Sequence, residues 1–149
     1  MMAESEVLND LRAKFGDKLG KVEEKNERRT YVKVAEGDLT DVARHLCDKC
    51  GRLATVIGID TRNGVELLYP FFFAGEHHFI TLKVMARKPK PSAPSLATWL
   101  TAANWSEREI QDLLGVSFIG HPDPRRLLLA DSWPEGVHPL RRDFKGLPE

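Results

Sequence analysis

The chain has 149 residues, of which 42% are apolar and 30% charged, with 22 basic side chains against 22 acidic ones. These values fit one ordinary soluble domain large enough for its own core, and no net field steers it to nucleic acid or an anionic membrane. No apolar run approaches the roughly 20 residues that cross a bilayer. The opening MMAESEVLNDLR has acids and no apolar stretch, so no signal peptide and a cytoplasmic location are expected.

Residues 4–15 read as an amphipathic helix with Val7, Leu8, Leu11 and Phe15 on one face. Acids lead it, Arg12 and Lys14 end it, and Gly16 is the expected stop. Leu19 to Lys25 is a weak strand, and Tyr31 to Val34 a clearer one. A second helix follows, with Asp38 as N-cap, Leu39, Val42, Ala43 and Leu46 as its stripe, and Gly51 closing it. RLATVIGID reads as a buried strand. VELLYPFFFA and HHFITLKVMA flank Gly75-Glu76 as a β-hairpin, and Pro70 implies an edge or a bulge. Three prolines make 87–95 a linker. SLATWLTAANWSEREIQDLLG is helical, with Ser95 as N-cap, a break near Asn104 or a bend, a capping box over Ser106 to Glu109, and Gly115 as its end. Beyond Val116 little periodicity remains.

The expected class is therefore α+β: a small mixed or antiparallel sheet with helices packed on it, then a C-terminal helix and a long irregular tail. The expected division is an α+β domain over 1–115, with the linker 87–95 inside it, and an extended docking tail over 116–149. A segment with scattered large apolar residues cannot build its own core. It is either disordered or laid across another surface, and its prolines and arginines favour the second.

Cys47 and Cys50 form a C-x-x-C. Zinc needs four ligands and no second pair exists. His45 and Cys47 point to opposite sides of a helix. The motif lies at a helix C-terminus, where the dipole does not favour a thiolate, so no special role is expected. From His77 to Ser106 the chain carries four bases (Lys83, Arg87, Lys88, Lys90) and no acid. That stripe reads first as a solvated strand end and linker.

Glu107, Arg108, Glu109 and Asp112 form a charged cluster on the last helix. Arg108 and Asp112 have the spacing of an i,i+4 pair. Glu107 falls on the apolar stripe, where a carboxylate needs a partner, and Arg125 and Arg126 are the nearest candidates in sequence. One reading is an enzyme with His121 as acid/base beside a carboxylate, but no nucleophile context, metal set or phosphate loop accompanies it. A second is a nucleic-acid module using the stripe at 83–90, against zero net charge and no motif. The third, favoured on the residues, is a structural subunit whose ion-pair knot and tail present a docking surface.

The order Glu107-Arg108-Glu109, two residues, Asp112-Leu113-Leu114, six residues, His121, three residues, Arg125 resembles the signature of the 30-kDa subunit of complex I, NADH:quinone oxidoreductase. AANW before it and GHPDPRRLLL and WPEGVHPLRRDF after it extend the resemblance from Ala93 to Phe144. Pro124 and Leu114 depart from the usual respiratory pattern, and the spacing in WPEGVHPLR and the ending at Glu149 look more like the branch in energy-converting [NiFe] hydrogenases, CO-induced or Ech-type. The resemblance implies a non-catalytic accessory subunit without flavin, iron–sulfur cluster, quinone or metal of its own. Its implied place is the hydrophilic arm on the cytoplasmic face. Implied partners are the large subunit (49-kDa-like or [NiFe] hydrogenase-like) and the small iron–sulfur subunit, with membrane attachment through the complex and no nucleic acid. The expected docking signature is Glu107, Arg108, Glu109, Asp112, His121, Asp123, Arg125 and Arg126. Trp133, Leu140, Arg141 and Arg142 are expected tail anchors.

Overall fold

A computed structural model describes residues 5–149; Glu4, the first residue of the expected helix, lies outside them. Ser5 caps α1 (Glu6–Phe15) by accepting the Leu8 N–H at 3.2 Å. Leu8, Leu11 and Phe15 are buried on one face, while Val7 is only partly covered. Gly16 does not stop the helix in a left-handed turn. It stays right-handed and continues into a short 3₁₀ turn, Gly16–Lys18.

The paired strands are β1 (Leu19–Asn26), β2 (Arg29–Val34), β3 (Arg52–Leu53), β4 (Ile57–Asp60), β5 (Gly64–Phe73) and β6 (His78–Arg87). They form a mixed six-stranded sheet in the order β1-β2-β6-β5-β3, with β4 also paired to β5. β1 and β2 are antiparallel, β2 and β6 parallel. The fold class is α+β, as the periodicities predict.

RLATVIGID is not one buried strand. It divides into β3 and β4, and Ile57 and Ile59 are exposed. The alternation explains this: a side chain at Gly58 would strike Leu114 and Ile110, so Gly58 takes the packed face and the isoleucines the open one. Pro70 lies inside β5, where its carbonyl accepts the Ala54 N–H at 2.9 Å. In a strand the nitrogen and oxygen of one residue point the same way, so the missing N–H falls just beyond the two-residue β3.

The second helix, α2 (Leu39–Asp48), follows a 3₁₀ turn at Glu36–Asp38. Asp38 does not cap it through its side chain; the carboxylate lies 3.8 Å from Lys18 instead. The helix closes in a Schellman pattern. The Gly51 N–H donates to the Leu46 carbonyl and the Cys50 N–H to Cys47. The left-handed residue is Cys50, with φ 66°, and not Gly51. Gly51 is needed for closeness, because a Cβ there would lie 2.6 Å from Leu46 O and from the Phe73 ring. Both cysteines are free. Burial, then the neighbouring Asp48, pushes the Cys47 thiol up.

The chain divides into two compact units, residues 1–56 with 68–84, and residues 57–67 with 85–149. In the first, the stripes of α1 and α2 and the inward residues Val32, Val34, Tyr69, Phe71, Phe73, Ile80 and Leu82 are buried. His45 joins its two helices. Its Nε2 lies 2.5 Å from Asp10 and its ring meets Phe15 edge-on. In the second, the 87–95 segment is not a plain linker. It carries a cis Lys88–Pro89 bond and β7 (Ser92–Pro94), which pairs in parallel with β8 (Ser117–Ile119). The helix expected from Ser95 begins later, as α3 (Asn104–Leu114), after a turn and a 3₁₀ segment. Ser106 lies inside α3, so no capping box forms. Gly115 ends it as expected, left-handed at φ 74°.

Candidate functional site: the α3 knot

α3 buries Ile110 and Leu114, and with them two carboxylates, Glu107 and Asp112. Neither finds the partner expected of it. Glu107 accepts the Ser95 hydroxyl at 2.5 Å and the Leu96 N–H at 2.8 Å. Arg125 and Arg126 do not reach it. Ser95 is thus no helix cap but the residue that ties the β7 loop to α3, and its Oγ also accepts the Ala97 N–H. Burial, against these hydrogen bonds, pushes the Glu107 carboxyl above its ordinary range.

His121 lies beside this carboxylate, with Nε2 3.8 Å from Glu107 and its side chain 1% exposed. Nε2 donates to the Asn104 carbonyl, and Nδ1 accepts the Asp123 N–H at 3.0 Å. One ring nitrogen donates and the other accepts, which describes a neutral imidazole. A shielded ring with both nitrogens engaged does not support the acid/base reading.

The i,i+4 pair between Arg108 and Asp112 does not form. Arg108 donates through Nε to the Arg125 carbonyl at 2.9 Å and through Nη2 to the Arg126 carbonyl at 3.0 Å. Gln111 adds a bond to the Pro124 carbonyl. Asp112 Oδ2 accepts three successive backbone N–H groups, from Leu127, Leu128 and Leu129, at 2.9, 2.8 and 3.2 Å. The helix thus grips the following loop by its backbone. Asp123 takes a bidentate contact from the exposed Arg125, which holds its carboxyl well below the carboxylate range, with Arg108 3.7 Å away. Glu109 is exposed.

The tail extends the same pattern. The last carbonyls of a helix lack internal partners; here His138 Nδ1 donates to Asp112 O and the Leu140 N–H to Leu113 O. Arg126 Nη1 donates to the carbonyls of Ala130, Asp131 and Trp133. Trp133 Nε1 donates to Val137 O, and its ring stacks on Phe144 at 6.3 Å. The Arg142 N–H reaches Asp60 Oδ2 at 2.7 Å, while Arg141 Nε lies 3.6 Å from Asp143. Burial pushes the Asp60 carboxyl up, but Lys88 at 2.7 Å and the Arg142 N–H outweigh it and hold it low. The choice between disorder and a foreign surface therefore omits what is found: the tail folds back on α3 of its own chain. His138, Gln111 and Asp60 were not singled out from the sequence. The only signal for His138 is that a helix end needs donors and the following chain supplies a histidine.

Of the basic stripe, Lys88 is committed to Asp60 and Lys83 lies over the Tyr31 ring, which leaves little of it for nucleic acid. Among the described residues no His, Cys, Asp and Glu side chains gather as a metal-binding group. The arrangement does the work of an architectural clamp: it fixes a loop and tail against one helix.

A small mixed sheet followed by an acid-bearing helix that clamps a polar tail defines an α+β protein. The chain belongs to the family of the respiratory-chain NADH dehydrogenase 30 Kd subunit, whose model matches residues 32–149. It is 44% identical over 96 residues to an NADH-quinone oxidoreductase subunit of Chloroherpeton thalassium, covering 62% of this chain and 39% of that one. It is 34% identical over 142 residues to Hydrogenase-4 component G of Escherichia coli, covering 92% of this chain and 26% of that one. The chain therefore spans well under half the length of these two relatives. Its fold is similar to a chain in the structure of the membrane-bound sulfane sulfur reductase, an archaeal respiratory membrane complex. The TM-score is 0.83, with 21% identity, 93% of this chain covered and 84% of that one. Among the described residues no helix is long and apolar enough to cross a membrane.

Proposed function

We propose that this chain is a non-catalytic accessory subunit in the hydrophilic arm of a complex I-like, membrane-bound oxidoreductase. The observation that carries the reading is where apolar surface is left open. Ile57, Ile59, Trp105, Ile119, Leu128, Leu140 and Leu147 are the large apolar side chains exposed among the described residues, and all belong to the second unit. Trp105 is 70% exposed and Ile119 62%. Large apolar side chains left exposed on one unit are surface that a partner would cover. That unit also carries the α3 knot, so the knot's role is to hold a docking surface in shape. The proposed partners are the large subunit, 49-kDa-like or [NiFe] hydrogenase-like, and the small iron–sulfur subunit. The redox groups are theirs, this chain holds none, and attachment to the inner face of the cell membrane is through the complex. Family membership and the hydrogenase relative, matched over nearly the whole chain, support an energy-converting hydrogenase or its respiratory counterpart.

The test is affinity purification of the tagged chain from its own cells. Recovery of a large subunit and an iron–sulfur subunit is expected, with loss of both in the Trp105→Ser/Ile119→Ser variant. The isolated chain is expected to be colourless. A chain that purifies alone, or that carries flavin or cluster absorbance, overturns the reading.

A further inference from the structure

Strand register sets four side chains in a row on the outer face of the first unit's sheet. Arg29 of β2 pairs with Phe79 of β6. The Phe79 ring meets Phe72 of β5, with centroids 4.8 Å apart and planes tilted by 40°. Phe72 in turn pairs with Arg52 of β3. Paired residues share a face, and their sequence neighbours Thr30, Ile80, Phe71, Phe73 and Leu53 are buried on the opposite one. The outer row therefore reads Arg–Phe–Phe–Arg across four strands.

A cavity of about 750 Å³ opens over these rings, bounded by the β1–β2 turn from Asn26 to Arg29 and by Phe72, His77 and Phe79. That volume is in the range that encloses small-molecule ligands. The rim backbone is fixed: the Arg28 N–H donates to Asn26 Oδ1, and the Arg28 carbonyl accepts the Phe79 N–H at 2.8 Å. Two arginines, Arg28 and Arg29, and one acidic residue, Glu27, are among its lining residues, an excess of basic over acidic ones. Phe72 and Phe79 are half-buried, with ring surface open to the cavity. Aromatic rings beside guanidiniums combine a stacking surface with bidentate donors for phosphate or carboxylate.

We propose that this cavity binds a small planar anion, an aromatic ring carrying a phosphate or carboxylate. The ring rests on Phe72 and Phe79, and the anion meets Arg28 and Arg29. Nothing in the α3 knot is used, so this site and the docking face stand or fall separately.

Isothermal titration of the full chain with phenyl phosphate, AMP, adenosine and inorganic phosphate tests it. A compound with both ring and anion is expected to bind at least about tenfold more tightly than adenosine or phosphate alone. Arg28→Gln/Arg29→Gln and, independently, Phe72→Leu are expected to weaken that binding by about tenfold or more. Binding of AMP but not phenyl phosphate identifies a nucleotide ligand, and the reverse a simple aryl anion; both support the site. No preference for the combined ligands overturns the proposal, and so does binding that both variants retain. Circular dichroism and thermal midpoints of the variants establish that each is folded, which exposed arginines and a Leu-for-Phe exchange leave intact.

Discussion

Glu107 and His121 face each other at 3.8 Å with side chains 0% and 1% exposed, and both ring nitrogens are engaged by backbone. The Asp123 N–H occupies one nitrogen of the ring and the Asn104 carbonyl takes the proton of the other. The carboxyl is therefore held by Ser95 and Leu96 in a site that disfavours its charge. Burial raises its folded-state pKa above the ordinary 4.5. A native state that holds the proton more tightly than the unfolded chain is penalised once the unfolded chain ionises. The penalty is absent below pH 4.5 and grows as pH rises from there through the folded value. Glu107→Gln keeps an acceptor for Leu96 and a donor for Ser95 while removing the charge. Urea unfolding from about pH 5 to about pH 8 is expected to show wild type losing stability relative to Glu107→Gln. Parallel pH profiles for the two proteins contradict a buried, high-pKa carboxyl.

Asp112 is the single acceptor for three consecutive amides, and its side chain is among the buried ones. Asp112→Ala leaves those N–H groups without their acceptor. Its expected cost is roughly 2–3 kcal/mol, the scale of losing hydrogen bonds to a charged acceptor. Asp112→Asn retains one carbonyl oxygen and is expected to lose less. Chemical denaturation gives the stabilities, and limited proteolysis should show early cleavage near residues 127–129 in the alanine variant. Equal resistance of all three proteins would falsify the clamp.

At the end of α2 two substitutions should act in opposite directions. Cys50 stands at φ 66°, a conformation that costs a side chain about 1–2 kcal/mol and glycine little. Cys50→Gly is expected to stabilise by up to about 1 kcal/mol, after the extra backbone entropy that glycine loses on folding. Gly51→Ala puts a Cβ 2.6 Å from the Leu46 carbonyl and from the Phe73 ring, and is expected to destabilise. Thermal melts of the two variants check the pair. Destabilisation by Cys50→Gly would assign the thiol a role that the Schellman turn does not explain.

What could be read from the sequence, and what could not, follows from which groups make the bonds. The α1 face of Leu8, Leu11 and Phe15 and the β5–β6 hairpin were legible because burial selects apolar side chains at a fixed period. Glu107 was legible as an anomaly, a carboxylate on an apolar stripe. Its partner was not, since Ser95 before a run of helix-favouring residues reads equally well as a cap. Arg108 and Asp112 were paired with each other because both carry side-chain signals. Their real partners are the carbonyls of Arg125 and Arg126 and the amides of Leu127 to Leu129. Every residue has those groups, so no pattern marks them. The tail's fold was hidden for the same reason: polar contacts to backbone replace the periodic apolar face that a reader of sequence looks for.

The two arginines of the knot separate folding from docking. Arg108 is mostly covered and closes two bonds to the loop backbone. Arg108→Ala is expected to cost about 2 kcal/mol, the scale of hydrogen bonds to a charged donor, and to loosen the loop with it. The Arg125 side chain is 82% exposed and its guanidinium bonds Asp123. Arg125→Ala should leave the thermal midpoint of the isolated chain unchanged within error. The Asp123 contact holds the Arg125 guanidinium in one orientation, which reduces the ordering needed when a partner binds. Under the proposed docking role, the Arg125→Ala chain should therefore stay folded yet recover less of the large subunit in affinity purification. Arg125→Lys should preserve recovery only in part, because it keeps the charge and loses the planar two-point contact. Full recovery with alanine would confine Arg125 to the surface of this chain and leave the exposed apolar residues of the second unit to account for docking.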